Sequence, residues 1–219
     1  MRTHDIRVHD RLLIFATTIG AAALLSAVGC GGSSTPVSLS NSVFIGTLGN
    51  GEVLTLNFGT EASGTIPLTG TLTKGGTTTI NLTGTYTVSS YAISAFGGGY
   101  TLTGSVANTT ATGTYTGPSD SGSFAAFKGD TTSVTVYCGT YAGDASGSWN
   151  LVRNGNSVAG AYSHGKLTNG TVNGNNVSFS ITDDSAGPGS GTGTISGSSV
   201  SGTWTVGSST GNWTGSTSC

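Results

Sequence analysis

Between Ser199 and Val206 the chain alternates without exception: Val200, Gly202, Trp204 and Val206 share one parity, Ser199, Ser201, Thr203 and Thr205 the other. A period of two places successive side chains on opposite faces, so this segment reads as a strand with one buried and one polar face. The same alternation recurs at Val177, Phe179 and Ile181, at Ile80, Leu82, Gly84 and Tyr86, and at Ile66, Leu68, Gly70 and Leu72. No segment after Ala27 carries a helical period. The expected fold class is all-β, with Thr outside because its branched side chain suits a pleated surface.

The alternating segments belong to two copies of one unit. Gly104-Ser105-Val106, Gly113-Thr114-Tyr115 and Gly122-Ser123-Phe124 match Gly193-Thr194-Ile195, Gly202-Thr203-Trp204 and Gly211-Asn212-Trp213 at a constant offset of 89 residues. Upstream, residues 43–48 match residues 136–141 at an offset of 93, so the copies differ by loop gaps. The first is expected over residues 43–130 and the second over 131–219. A repeat of this length exceeds a solenoid unit and suits a small domain with its own core.

In the second copy eight strand candidates lie near residues 136–141, 147–153, 157–163, 167–172, 176–182, 191–196, 199–206 and 211–216, joined by short links such as Gly174-Asn175 and Gly197-Ser198. Such links are hairpin turns, which make consecutive strands antiparallel neighbours. Glycine falls on the aromatic-bearing face, as at Gly113 before Tyr115 and Gly202 before Trp204. Mid-strand glycine normally weakens a strand, but small barrels alternate small and large interior side chains and use glycine to coil sharply. The expectation is two tandem eight-stranded antiparallel meander barrels; one continuous larger barrel or sandwich is the alternative.

From residue 30 onward there are four basic residues (Lys74, Lys128, Arg153, Lys166) against seven acidic ones. Nucleic-acid binding needs clustered Lys and Arg, so no nucleic-acid partner is expected.

The N-terminus carries Arg2, Arg7 and Arg11, then a run of apolar and small residues over 12–28, the order of an export signal. The run Leu25-Ser26-Ala27-Val28-Gly29-Cys30 that ends it resembles a bacterial lipobox, although Ala27 stands where the family most often has Leu. The resemblance implies a lipoprotein signal peptide over residues 1–29, cleavage before Cys30, lipidation of Cys30 and a membrane partner reached through that lipid. Gly31, in place of the Asp that retains such proteins at the inner membrane, makes the outer membrane the expected location, facing the periplasm or the surface. Residues 30–42 are small and polar and read as a flexible tether.

With Cys30 assigned to lipid and export implying an oxidising compartment, Cys138 and Cys219 are left as a pair, and a disulfide is the simplest account. Cys138 lies in the first strand of its copy and Cys219 just after the last. Those strands are far apart in an open meander and adjacent in a closed barrel, so the bond predicts closure.

Catalytic constellations are scarce. His164 is the one His of the body and sits in a turn; no Gly-x-Ser-x-Gly elbow precedes a helix. One His and two paired Cys do not make a zinc site, and Asp183-Asp184-Ser185 lacks the ligand spacing of known calcium loops. Neither an enzyme nor a metal or cofactor is expected. Trp149, Tyr162, Phe179, Trp204 and Trp213, together with Tyr141, are the candidate ligand-binding set, against the plainer reading that they pack the core. Gly147-Ser148-Trp149 followed by Gly160-Ala161-Tyr162 is similar to the opening hairpin of avidin-type barrels, in which inward Trp residues clasp a vitamin. The first copy has Val53, Tyr115 and Phe124 where the second is expected to have its three Trp, so any pocket belongs to the second. The function expected is a structural or interaction module of the envelope meeting a protein or glycan. The alternative is a barrel that binds a small hydrophobic or sugar-like ligand.

Overall fold

The computed structural model describes residues 38–74 and 78–219. The export signal, Cys30 and the tether as far as residue 37 lie outside the described residues. Strands β1 (Val43–Leu48), β2 (Val53–Phe58), β3 (Thr65–Lys74), β4 (Thr78–Thr87), β5 (Ala92–Gly97), β6 (Tyr100–Ala107), β7 (Thr110–Thr116) and β8 (Ser121–Lys128) follow one another around a closed barrel. A second closed barrel holds β9 (Val134–Gly143), β10 (Gly147–Asn154), β11 (Ser157–Tyr162), β12 (Gly165–Asn173), β13 (Asn176–Asp183), β14 (Gly187–Ser196), β15 (Ser199–Val206) and β16 (Ser209–Ser216). All neighbours are antiparallel, and in each barrel the last strand pairs with the first, β8 with β1 and β16 with β9. The two separate barrels of the sequence expectation are the observed fold.

Tight turns set the register. Gly155, Gly174, Gly197 and Gly207 each open a two-residue loop with φ between 58° and 60° while the residue after them keeps negative φ, the pattern of a type II′ turn. Inside each barrel the inward parity forms one apolar core, with Phe44, Leu54 and Leu102 among the first barrel's fully buried side chains and Leu151 among the second's.

The inward aromatics lie across glycines of the neighbouring strands. Trp213 pairs with Gly202, which pairs in turn with Gly193, and Phe124 repeats the pattern over Gly113 and Gly104. A Cβ on Gly202 or Gly193 would stand about 2.6 or 2.5 Å from Trp213 Cζ2. Trp149 lies likewise over Gly139 and reaches Gly215, where a Cβ would stand 2.9 Å from its ring. The bare backbone left by two adjacent glycines is the shelf a large ring needs, and the ring in turn covers that backbone.

Both barrels fall in one unit, residues 37–219. Four strands depart from alternation: β1, β8, β10 and β11 are buried along both faces over runs of at least four consecutive residues. Their outward residues Ile45, Ala125 and Phe127 of the first barrel pack with Val152 and Ala159 of the second, and with Val134 at the start of β9, in a third apolar cluster. Asn150 Nδ2 donates to Leu48 O at 2.7 Å and Asn154 Nδ2 to Lys128 O at 2.9 Å across this contact. Gly49 belongs to it too, since a Cβ there would meet Tyr162 O at 2.5 Å. The barrels are therefore joined side by side along an apolar face, with Asn150 and Asn154 paired to backbone oxygens across it as burial demands.

The tether expected over residues 30–42 is shorter at its far end. Leu39 is buried in the first barrel's core where β1 begins, Asn41 N and Phe58 N donate to Gly59 O and Ser42 O, and Lys128 Nζ donates to Ser38 O. Residues 38–42 belong to the folded body because Leu39 closes that end of the barrel.

Candidate functional site

The second barrel opens at the end that carries the β9–β10, β11–β12, β13–β14 and β15–β16 loops. There, side chains from seven strands surround a cavity of about 130 Å³. Trp149, Tyr162, Phe179, Trp204 and Trp213, the residues singled out from sequence, all line it, and so does Tyr141. Cross-strand register brings them together: Trp149 is opposite Tyr162, and Trp204 and Trp213 come from neighbouring strands.

The rings meet at steep angles. Tyr141 makes edge-on contacts with Tyr162 (centroids 6.0 Å apart, 88° between planes) and Trp204 (5.8 Å, 84°), and Trp149 with Trp213 (5.0 Å, 76°). Such geometry suits the ring quadrupoles and holds the walls apart. Trp149 Nε1 donates to Thr140 O (3.0 Å) and Thr214 O (3.2 Å), and Trp213 Nε1 to Thr203 O (3.0 Å). Trp204 Nε1 is buried without a partner, over Gly211, where a Cβ would stand 2.5 Å away.

Asp183, at the end of β13, is the single charged residue of the lining. Its Oδ2 accepts the Tyr162 hydroxyl at 2.7 Å, and its Oδ1 accepts Ser185 N, Ser185 Oγ and Ala186 N at 2.7–2.9 Å. Burial pushes this carboxyl upward, but the hydrogen bonds from Ala186, Ser185 and Tyr162 outweigh it and hold it at about 2. The Tyr162 hydroxyl is driven up by burial and by its bond to Asp183, so it stays a proton donor to the carboxylate. The spacing that sets Asp183-Asp184-Ser185 apart from calcium loops does not point to this role; the Asp-x-Ser that closes the turn after an alternating strand is the signal for it.

The first barrel's same end is filled. Glu52, 6% exposed, accepts the Tyr100 hydroxyl at 2.7 Å, and Tyr115 donates to Asp120 at 3.3 Å. Burial, then the bond to Glu52, pushes the Tyr100 hydroxyl up to about 12. Register aligns the copies residue by residue. Gly46 pairs with Leu54 as Gly139 pairs with Trp149, so the counterpart of Trp149 is Leu54 and not Val53, which stands one residue away on the opposite face. On the same register Glu52 becomes Gly147, and Tyr100 becomes Gly189 at the offset of 89. Ala95 opposite Leu102 becomes Phe179 opposite Gly191, an exchange that keeps volume. Volume is gained where Leu48, Leu54 and Leu72 become Tyr141, Trp149 and Tyr162, but with Glu52 and Tyr100 replaced by glycine a cavity stands where those two are buried in the first barrel.

His164 lies in the exposed β11–β12 turn with Nδ1 2.8 Å from Ser163 Oγ, away from the lining. Among the described residues no three His, Cys, Asp or Glu side chains gather as metal ligands would. Cys138 and Cys219 are joined by a disulfide with Cα atoms 5.4 Å apart. Comparison with protein-family models, curated proteins and solved structures finds no match to this chain.

Proposed function

We propose that this chain is a lipid-anchored envelope protein, held at the outer membrane through Cys30, whose second barrel binds a small and largely apolar ligand. One observation carries the reading: Glu52 and Tyr100, which fill the first barrel's mouth, are replaced by Gly147 and Gly189 in the second, and six aromatic side chains line the space. A barrel whose aromatics served packing alone would close as its neighbour does. Largely apolar concave sites with a few fixed polar groups are where small ligands bind. The site is read as a binding module and not an enzyme, because no His, Lys, Arg or Cys lines the cavity and Asp183 is engaged by four donors.

Two measurements test this. In a screen of small metabolites, a true ligand shifts the emission of Trp149, Trp204 and Trp213 and, at one hundred times its dissociation constant, stabilises the fold by about 2.7 kcal/mol. A screen in which nothing shifts emission or melting sinks the pocket. It would favour an interaction module working through its surface, where Tyr91 and Phe96 are the large apolar side chains left exposed among the described residues. For the anchor, labelled palmitate is expected in the wild-type protein and absent from Cys30→Ser; equal labelling of both removes Cys30 as the lipid site.

A further inference from the structure

We infer that the ligand is a small organic cation bearing a methylated ammonium group, held in the second barrel by an aromatic box with a carboxylate at its rim. The inference rests on the binding reading above and adds the ligand's chemistry.

The cavity restricts what can enter it by what its walls offer. Ligands rich in hydroxyls need an array of free donors and acceptors, and here only the Tyr141 and Ser209 hydroxyls of the lining are left without a protein partner. The indole N–H groups of Trp149 and Trp213 are given to backbone oxygens and the Tyr162 hydroxyl to Asp183, while Trp204 Nε1 is solvent-inaccessible over Gly211. Each hydroxyl buried without a partner would cost on the order of 1–3 kcal/mol. Sugars are disfavoured.

Anions are disfavoured by charge. Asp183 is the lining's charged residue, and Asp144 and Asp184 stand in the β9–β10 and β13–β14 loops of the same rim. Lys166, in β12, lies exposed on the outer face between inward Gly165 and Leu167. The rim field is negative, and the Asp183 carboxylate stays ionised down to about pH 2.

What remains is aromatic surface in a negative field. The faces of Trp and Tyr rings attract cations, by about 0.5–1 kcal/mol at exposed sites and about 2 kcal/mol or more when desolvated. Rings set near right angles surround one volume from differing orientations, which a stacked column would not. The hydrogen bond from Tyr162 to a carboxylate enriches the electron density of that ring. A quaternary ammonium asks for no hydrogen bonds, so the spent donors cost it nothing. The volume also fits: an apolar cavity of about 150 Å³ takes up benzene, and a trimethylammonium group is of comparable bulk.

The test compares charge at constant shape. Binding of choline and tetramethylammonium to the intact protein is followed by tryptophan fluorescence and melting temperature, beside 3,3-dimethylbutan-1-ol, the neutral carbon isostere of choline. Choline is expected to bind about tenfold more tightly than the isostere or better. Asp183→Asn, whose amide oxygen still accepts from the turn, should narrow that ratio, with choline losing more affinity than the alcohol; Trp204→Leu should weaken choline more than the alcohol. If the alcohol binds as tightly as choline, the cation inference is overturned while the apolar binding site stands. If choline, tetramethylammonium and the alcohol all fail while another apolar compound binds, the cation inference again falls alone. Failure of every compound overturns both.

Discussion

Gly202→Ala is expected to destabilise the protein by about 3 kcal/mol or more, although alanine is ordinarily the better strand residue by about 0.5–1 kcal/mol. The sign is decided by what the new methyl group meets. A Cβ at Gly202 would overlap Thr192 O and stand 2.6 Å from both Gly193 Cα and Trp213 Cζ2. None of these is the free end of a flexible side chain: two are backbone and the third is a ring pinned by its bond to Thr203 O. Relief requires lifting Trp213 off its shelf, which also disturbs Trp149 and Phe179 against it. Gly113→Ala should cost a similar amount in the first barrel, because Phe124 lies over Gly113 with 2.6 Å to the Cβ position. Ser201→Ala, one residue away on the exposed face, should change stability by less than about 0.5 kcal/mol. Urea unfolding of the three variants decides the matter. A loss below about 1 kcal/mol for Gly202→Ala would mean that the shelf is slack and that its glycines serve curvature alone.

This glycine and aromatic pairing explains how much of the fold could be read in advance. Alternation at residues 199–206 marks β15 with its observed ends, since both faces there obey the simple rule of one apolar and one polar parity. The rule fails where a strand is covered twice. Val43-Phe44-Ile45, Phe124-Ala125-Ala126-Phe127 and Leu151-Val152 are continuous apolar runs, the pattern of strands buried on both faces, and they mark the contact between barrels. That signal is present in the chain but names no partner surface, so side-by-side packing became visible only once the strands were placed. Strand β14 begins at Gly187, four residues before the expected start, because Gly187-Pro188-Gly189-Ser190 reads as a loop while its backbone pairs with β13. The candidate site was legible in its residue types, as Trp149, Tyr162, Phe179, Trp204 and Trp213 do meet around one cavity. Its opening was not, because it depends on matching Glu52 to Gly147 and Tyr100 to Gly189, and a slip of one residue in register, as between Val53 and Leu54, hides that match.

Removing the Cys138–Cys219 disulfide is the second large effect, and it should fall unequally on the two barrels. Each barrel must hold its first strand to its last. In the first barrel the β1–β8 seam is clamped from outside, where Ile45 and Phe127 are buried against Val152 and Ala159 of the second. Strand β16 contributes no side chain to that cluster. The β9–β16 seam instead has its six paired positions and the disulfide, which ties Cys219, beyond the end of the last strand, to β9 across a sequence separation of 81. A loop of this size gives about 4.5 kcal/mol in the chain-entropy model, and measured values run from near zero to about 5. The double variant Cys138→Ser, Cys219→Ser is therefore expected to lose about 2–4 kcal/mol. Amides of β9 and β16 should exchange with solvent faster by a matching factor, while those of β1 and β8 keep their protection. Because Trp149 rests on the strands of that seam and Trp213 belongs to one of them, fluorescence of the cavity should report the same loosening. Equal loss of protection in both seams would show that the barrels unfold as one unit and that the disulfide stabilises the pair. No loss in either would show that the β9–β16 ladder closes the barrel without the bond.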